Sequence, residues 1–131
     1  MNLLQRVSAW FKSRKPAPIG HWFFVTFDGE KVSIRAAPPC REPWEQEFSW
    51  SSVERICFKD EGPWASDGIY VFTSLRPESY VIPTEANGGT EFLNELVTRN
   101  LFPAEVAIKA AGSTDGGYYC WPPIEGSRDG S

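Results

Sequence analysis

HWFFVTFDGEKVSIRAA, residues 21–37, decides the class of fold. His21 to Phe27 is apolar on both faces, which predicts a strand in the middle of a sheet with something packed on each side. Asp28-Gly29 supplies a two-residue turn whose glycine accepts positive φ. Lys31 to Ala37 then returns with Val32, Ile34 and Ala36 on one side and Lys31, Ser33 and Arg35 on the other. The period is two, so the segment is a hairpin, and its second strand has one wet face.

Reading onward, Ala37 to Pro43 carries three prolines and cannot continue a ladder, so it is a connecting loop. Trp44, Gln46, Phe48 and Trp50 alternate against Glu45, Glu47 and Ser49 as a half-buried strand. Val53 to Phe58, Ile69 to Leu75 and Tyr80 to Ile82 follow, the last two separated by a hairpin turn placed at Arg76-Pro77-Glu78. Links this short pair consecutive strands antiparallel, because a parallel crossover needs a dozen residues or more. From Asn87 the period becomes helical. Thr90 reads as an N-cap, and Phe92, Leu93, Leu96 and Val97 form an apolar stripe in a helix over 90–100. Pro103 suits the first position of a second, shorter helix with Val106, Ala107, Ala110 and Ala111 inward, and Tyr118–Trp121 is a last strand. The expected fold is α+β: a single twisted antiparallel sheet or half-barrel of six to seven strands, one main C-terminal helix and a short second helix.

Reading back from His21, residues 1–19 differ in kind from the rest. Leu3, Leu4, Val7, Trp10 and Phe11 recur at helical spacing beside Arg6, Lys12, Arg14 and Lys15, with no acid among them, and the prolines at 16 and 18 stop the helix. This basic amphipathic helix either touches a membrane surface or a partner, or docks on its own domain. Residues 20–121 form the domain, and 122–131 read as a flexible tail. Beyond residue 19 the chain holds 9 basic and 17 acidic residues, a net −8. Nucleic acid is a poor partner for such a body, whereas a protein with a basic surface is a fitting one.

Nineteen aromatic residues and a single histidine give much material for a core or a contact face and little for acid–base chemistry. His21, the only imidazole, starts a strand after a Pro-rich linker and has no nucleophile in its pattern. Three cysteines, Cys40, Cys57 and Cys120, stand at wide spacings with no CxxC. They read as reduced, with Cys57 and Cys120 as small core residues, and they supply no zinc site. A chain of this size folds without disulfide or metal, and no apolar run is long enough for a membrane span. The expected address is therefore cytoplasmic, peripheral at the membrane if residues 3–15 engage it. No cofactor is expected: Asn87-Gly88-Gly89-Thr90 lacks the lysine of a P-loop. In the loop 59–68, Asp60, Glu61 and Asp67 surround Trp64 without EF-hand spacing. An aromatic anchor within an acidic rim suits a protein contact; alternatively Trp64 folds back over the end of the core.

The run Phe48 to Ile56 with its W-x-x-V-x-x-I pattern, the strand Asp67-Gly68-Ile69-Tyr70, the helix Glu91 to Leu96 and the closing Tyr119-Cys120-Trp121 together resemble a family of small uncharacterised bacterial proteins. The resemblance covers about residues 21–121. Its first part also resembles the opening strands of bacterial pleckstrin-homology-like domains, which implies a curved antiparallel sheet closed by a helix. Small proteins of this type, toxin-immunity proteins included, act by stoichiometric binding. The resemblance thus implies a non-catalytic protein-binding domain, in concrete form an immunity-type neutraliser of a toxin; on that expectation the acidic loop residues Asp60, Glu61, Trp64 and Asp67 are the ones that contact it. The alternative is a membrane-surface adaptor held by residues 3–15.

Overall fold

The computed structural model describes residues 18–39, 41–60, 67–112 and 117–123. Of the basic helix and Pro linker expected over 1–19, residues 1–17 lie outside them, with the expected membrane-contact residues from Leu3 to Lys15, as do Cys40, Glu61 and Trp64. Strands β1 (Phe23–Phe27), β2 (Lys31–Ala36) and β3 (Trp44–Ser49) form one antiparallel sheet in that order. Strands β4 (Val53–Lys59), β5 (Gly68–Thr73), β6 (Arg76–Pro83) and β7 (Tyr118–Trp121) form a second, in the order β6-β5-β4-β7. Two helices, α1 (Gly89–Thr98) and α2 (Ala104–Ala111), stand between β6 and β7 in sequence. The class is α+β, with two sheets in place of the expected single one.

The division has a local cause. After β3 the chain makes a 3-10 turn, Trp50–Ser52, instead of a hairpin. The Trp50 amide still donates to the Glu30 carbonyl at 2.9 Å and so extends the first sheet. Two residues later the Ser52 carbonyl accepts from the Ser74 amide at 2.9 Å and begins the second. The Ser52 hydroxyl donates to the Ser49 carbonyl at 2.7 Å, which fixes the corner.

Between the sheets lies one core. Val32, Ile34 and Phe48 come from the first sheet, Ile56, Ile69, Val71 and Ile82 from the second, and Phe92, Leu96 and Phe102 from α1 and the link to α2. Phe48 and Tyr80 meet across the gap at 4.7 Å between ring centroids. The β1–β2 hairpin turns where the sequence predicts, but its central pair is Gly29-Glu30, closed by Asp28 N donating to Lys31 O, and Gly29 does not take the expected positive φ. The Asp28 carboxylate shapes the turn instead, accepting from the amides of Glu30 (2.8 Å) and Lys31 (2.9 Å). Those two donors, in that order, hold its pKa below the usual carboxylate value.

Five expectations are corrected in detail. β1 is the edge of its sheet, not the centre; its outer side is covered by the backbone of Asn87, which accepts from Val25 N and donates to Phe23 O, both at 2.9 Å. The β5–β6 turn sits at Ser74-Leu75, and Arg76 and Pro77 are already strand, which an edge position tolerates because Pro lacks only an outward donor. The N-cap of α1 is Gly88, not Thr90, and no side chain caps it. Pro103 precedes α2 rather than opening it, with ψ 140°. Finally, Cys57 and Cys120 are joined by a disulfide, not reduced. They are register partners on β4 and β7, 63 residues apart in sequence and 4.0 Å apart at Cα, a proximity no spacing rule reveals. Of the segment expected as a tail, the Pro122 carbonyl accepts from Arg55 Nε at 2.8 Å, and residues 124–131 lie outside the described ones. No described helix is long and apolar enough to cross a membrane.

Gly88 is where the chain turns from running beside β1 into α1. Its φ is +88°, and a Cβ there would collide with the Val25 carbonyl oxygen. Gly88→Ala is expected to lower stability by more than about 2 kcal/mol, the left-handed penalty plus the clash. Urea denaturation checks it, and a loss below about 0.5 kcal/mol, the usual scale for surface substitutions, would contradict the close approach.

Candidate protein-contact face

Trp50 is the root of one surface feature. The turn that separates the sheets buries its ring, leaving it 7% exposed. Its indole N–H donates to the Asp28 carbonyl at 2.8 Å, and its ring stacks on Phe92 at 5.8 Å and 24°. Phe27 meets it edge-on at 5.8 Å. The Arg99 guanidinium lies over the Trp50 ring, 4.1 Å from its centroid. Arg99 stands just past α1, which ends through Asn100 in a left-handed conformation (φ 60°). Its Nε bonds Glu95 at 2.8 Å, one turn back, and a terminal nitrogen donates to Asp28 O at 3.3 Å. Three contacts thus fix a side chain that would otherwise sample many rotamers.

Beside this pair is a hollow of about 610 Å³, lined by Gly29, Glu30, Ser49, Trp50, Ser51, Arg99 and Leu101. Leu101 also lines a second hollow of about 180 Å³ with Val53, Glu54, Arg55, Asn100, Trp121 and Pro122. The two therefore form one strip. It crosses Leu101, joins β3, the 3-10 turn, β4, β7 and the end of α1, and ends on Trp121, which is 37% exposed. Two tryptophans, two arginines and a leucine lie along it, with Glu30 and Glu54 beside them. Trp and Arg are the side chains that dominate contact energies when packed against a partner.

A third hollow, about 470 Å³, sits on the outer face of the first sheet among Phe24, Thr26, Ser33, Arg35, Glu45 and Glu47. There Arg35 lies 5.3 Å from the Phe24 ring centroid, and Lys31 and Glu47 form an exposed ion pair at 3.4 Å. On the outer face of the second sheet, Tyr118 and Tyr70 meet edge-on at 6.3 Å beside the disulfide. Burial pushes the Tyr118 phenol pKa up, and Tyr70 adds to the shift.

Asp60 is buried, 3% exposed, with its amide donating to the Gly117 carbonyl at 2.9 Å. Asp67 is half-buried, and its carbonyl accepts from the Thr84 amide at 2.9 Å. The register partners Lys59 and Gly68 bring Asp60 and Asp67 to the two ends of the β4–β5 connection, at the end of β4 opposite the Trp121 strip. His21 is exposed in the 3-10 turn before β1. Among the described residues no group of three or more His, Cys, Asp or Glu is arranged to hold a metal.

Sequence reasoning missed Trp50 and Arg99 as a pair. Trp50 read as the apolar end of a strand and Arg99 as the polar face of a helix, and nothing local links positions so far apart. Compared with known proteins, the chain matches no family model, no curated sequence and no solved structure.

Proposed function

We propose that this domain acts by non-catalytic binding of another protein through the strip from Trp50 and Arg99 over Leu101 to Trp121. The observation that carries this reading is the Arg99 guanidinium, held over the Trp50 ring by Glu95 and the Asp28 carbonyl before any partner arrives. A side chain already ordered loses little entropy on docking, so more of its contact energy appears as affinity. In its most concrete form the reading is an immunity-type protein that neutralises a toxin by stoichiometric association. The net −8 beyond residue 19 complements a basic partner. Of the acids expected at the contact, Asp60 is buried and Asp67 is half-buried, at the two ends of the β4–β5 connection.

The test is a pull-down of the tagged full chain from its own cells, followed by calorimetric affinity with the retained protein. Trp121→Ala and Ser51→Arg, one removing an anchor and one filling the hollow, are each expected to weaken binding about tenfold or more while the unfolding curve keeps its shape. Unchanged affinity in both variants, or no protein retained at near-equal stoichiometry by the wild type, would remove the strip from the account.

A further inference from the structure

Sheet edges are where a folded protein is open to an added strand, and among the described residues three of the four edges are covered, proline-blocked or short. β1 is closed by the Asn87 backbone. β6 carries Pro77 and Pro83, which have no N–H, and the Arg76 guanidinium donates to its Glu78 and Ser79 carbonyls, both at 3.0 Å. β7 is four residues long with α2 packed beside it. Among the described residues β3 pairs with β2 alone.

The phase of the ladder shows which groups of β3 face outward. The bonds Ala37 N to Trp22 O and Asp28 N to Lys31 O assign the odd-numbered residues of β2 to β1. Its even-numbered residues therefore bond to β3, at Trp44, Gln46 and Phe48, and the bond from Trp50 N to Glu30 O continues that set. The N–H and C=O groups of Glu45 and Glu47 consequently point away from the sheet. Both side chains are exposed on the outer face beside the 470 Å³ hollow. Glu47 already holds one cation, Lys31 at 3.4 Å, and among the described residues Glu45 has no ion-pair partner.

We propose that β3 is a strand-addition site for an extended segment of another protein that carries Lys or Arg at alternate positions. The added backbone would pair with Glu45 and Glu47, and its basic side chains would lie over their carboxylates and the hollow. A second copy of this chain is disfavoured there, because antiparallel β3–β3 pairing sets these acids against each other. This site is separate from the Trp121 strip and stands or falls without it.

Amide NMR of the full-length chain tests the proposal with two capped hexapeptides, alternating Val-Lys and alternating Val-Glu. In the free protein the Glu45 and Glu47 amides are expected to exchange faster than those of Gln46 and Phe48. The Val-Lys peptide should shift and protect them, and the Val-Glu peptide should not. Glu47→Pro removes an outward donor without touching the β2 ladder and should weaken the Val-Lys peptide about tenfold or more, with Glu47→Gln between it and wild type. Should Glu47→Pro fail to fold, a Val-Lys peptide N-methylated at alternate amides makes the same test from the other partner. Equal binding of both peptides, shifts centred away from β3, no binding at millimolar peptide, or a dimer formed through β3 would each overturn the proposal.

Discussion

Truncating Phe92 to alanine is expected to remove about 3–5 kcal/mol of stability, the range for a fully buried aromatic whose site cannot collapse. Phe92 is 0% exposed, stacks on Trp50 at 5.8 Å and lies 6.5 Å from the Phe27 ring. Those neighbours are themselves fixed, Trp50 by its indole bond to Asp28 and Phe27 by the β1–β2 register, so little can move in to fill the space. Because Trp50 carries Arg99, the same truncation should loosen the candidate strip as well. Urea denaturation gives the first quantity, and a loss below about 1 kcal/mol would mean that the three rings are not packed as described.

Replacing Cys57 and Cys120 together by alanine is expected to cost about 4 kcal/mol. A cross-link spanning 63 residues removes that much loop entropy from the unfolded chain in the chain-entropy account. The β4–β7 ladder bonds do not depend on the sulfurs, so the fold should persist at reduced stability. Alkylation of the unfolded, unreduced protein should label one cysteine per chain; labelling of all three would contradict the bond. The disulfide also removes one ground for a cytoplasmic address, since such bonds persist in oxidising compartments.

Much of this architecture was legible because its cues are local. Alternation and short apolar runs placed all seven strands to within a few residues, the Asp28-Gly29 signal identified the first hairpin, and the Phe92–Leu96 stripe located α1. What was not legible depends on pieces that meet only in the folded chain. Ser51-Ser52 signals a break, but whether a break is a hairpin or a corner is decided by what Trp50 packs against, and Phe92 lies far along the sequence. Thr90 looked like a cap because its composition fits one, yet Asn87 had already committed the chain to β1, so the turn fell at Gly88. Pro77 looked like a turn residue, and would be one anywhere but on an edge strand. Cys57 and Cys120 each sit in an apolar run, and only the tertiary register makes them neighbours. The candidate strip was illegible for the same reason: its two arginines and two tryptophans come from four different elements.

The position of β7 bears on how the protein is made. β4 leaves the ribosome well before Tyr118–Trp121, the strand that will flank it, and everything from β5 to α2 is synthesised in between. Until then one side of β4 is an open ladder beside an unpaired thiol. The nascent chain is most vulnerable to wrong pairing in that interval, and the arrival of a four-residue segment ends it.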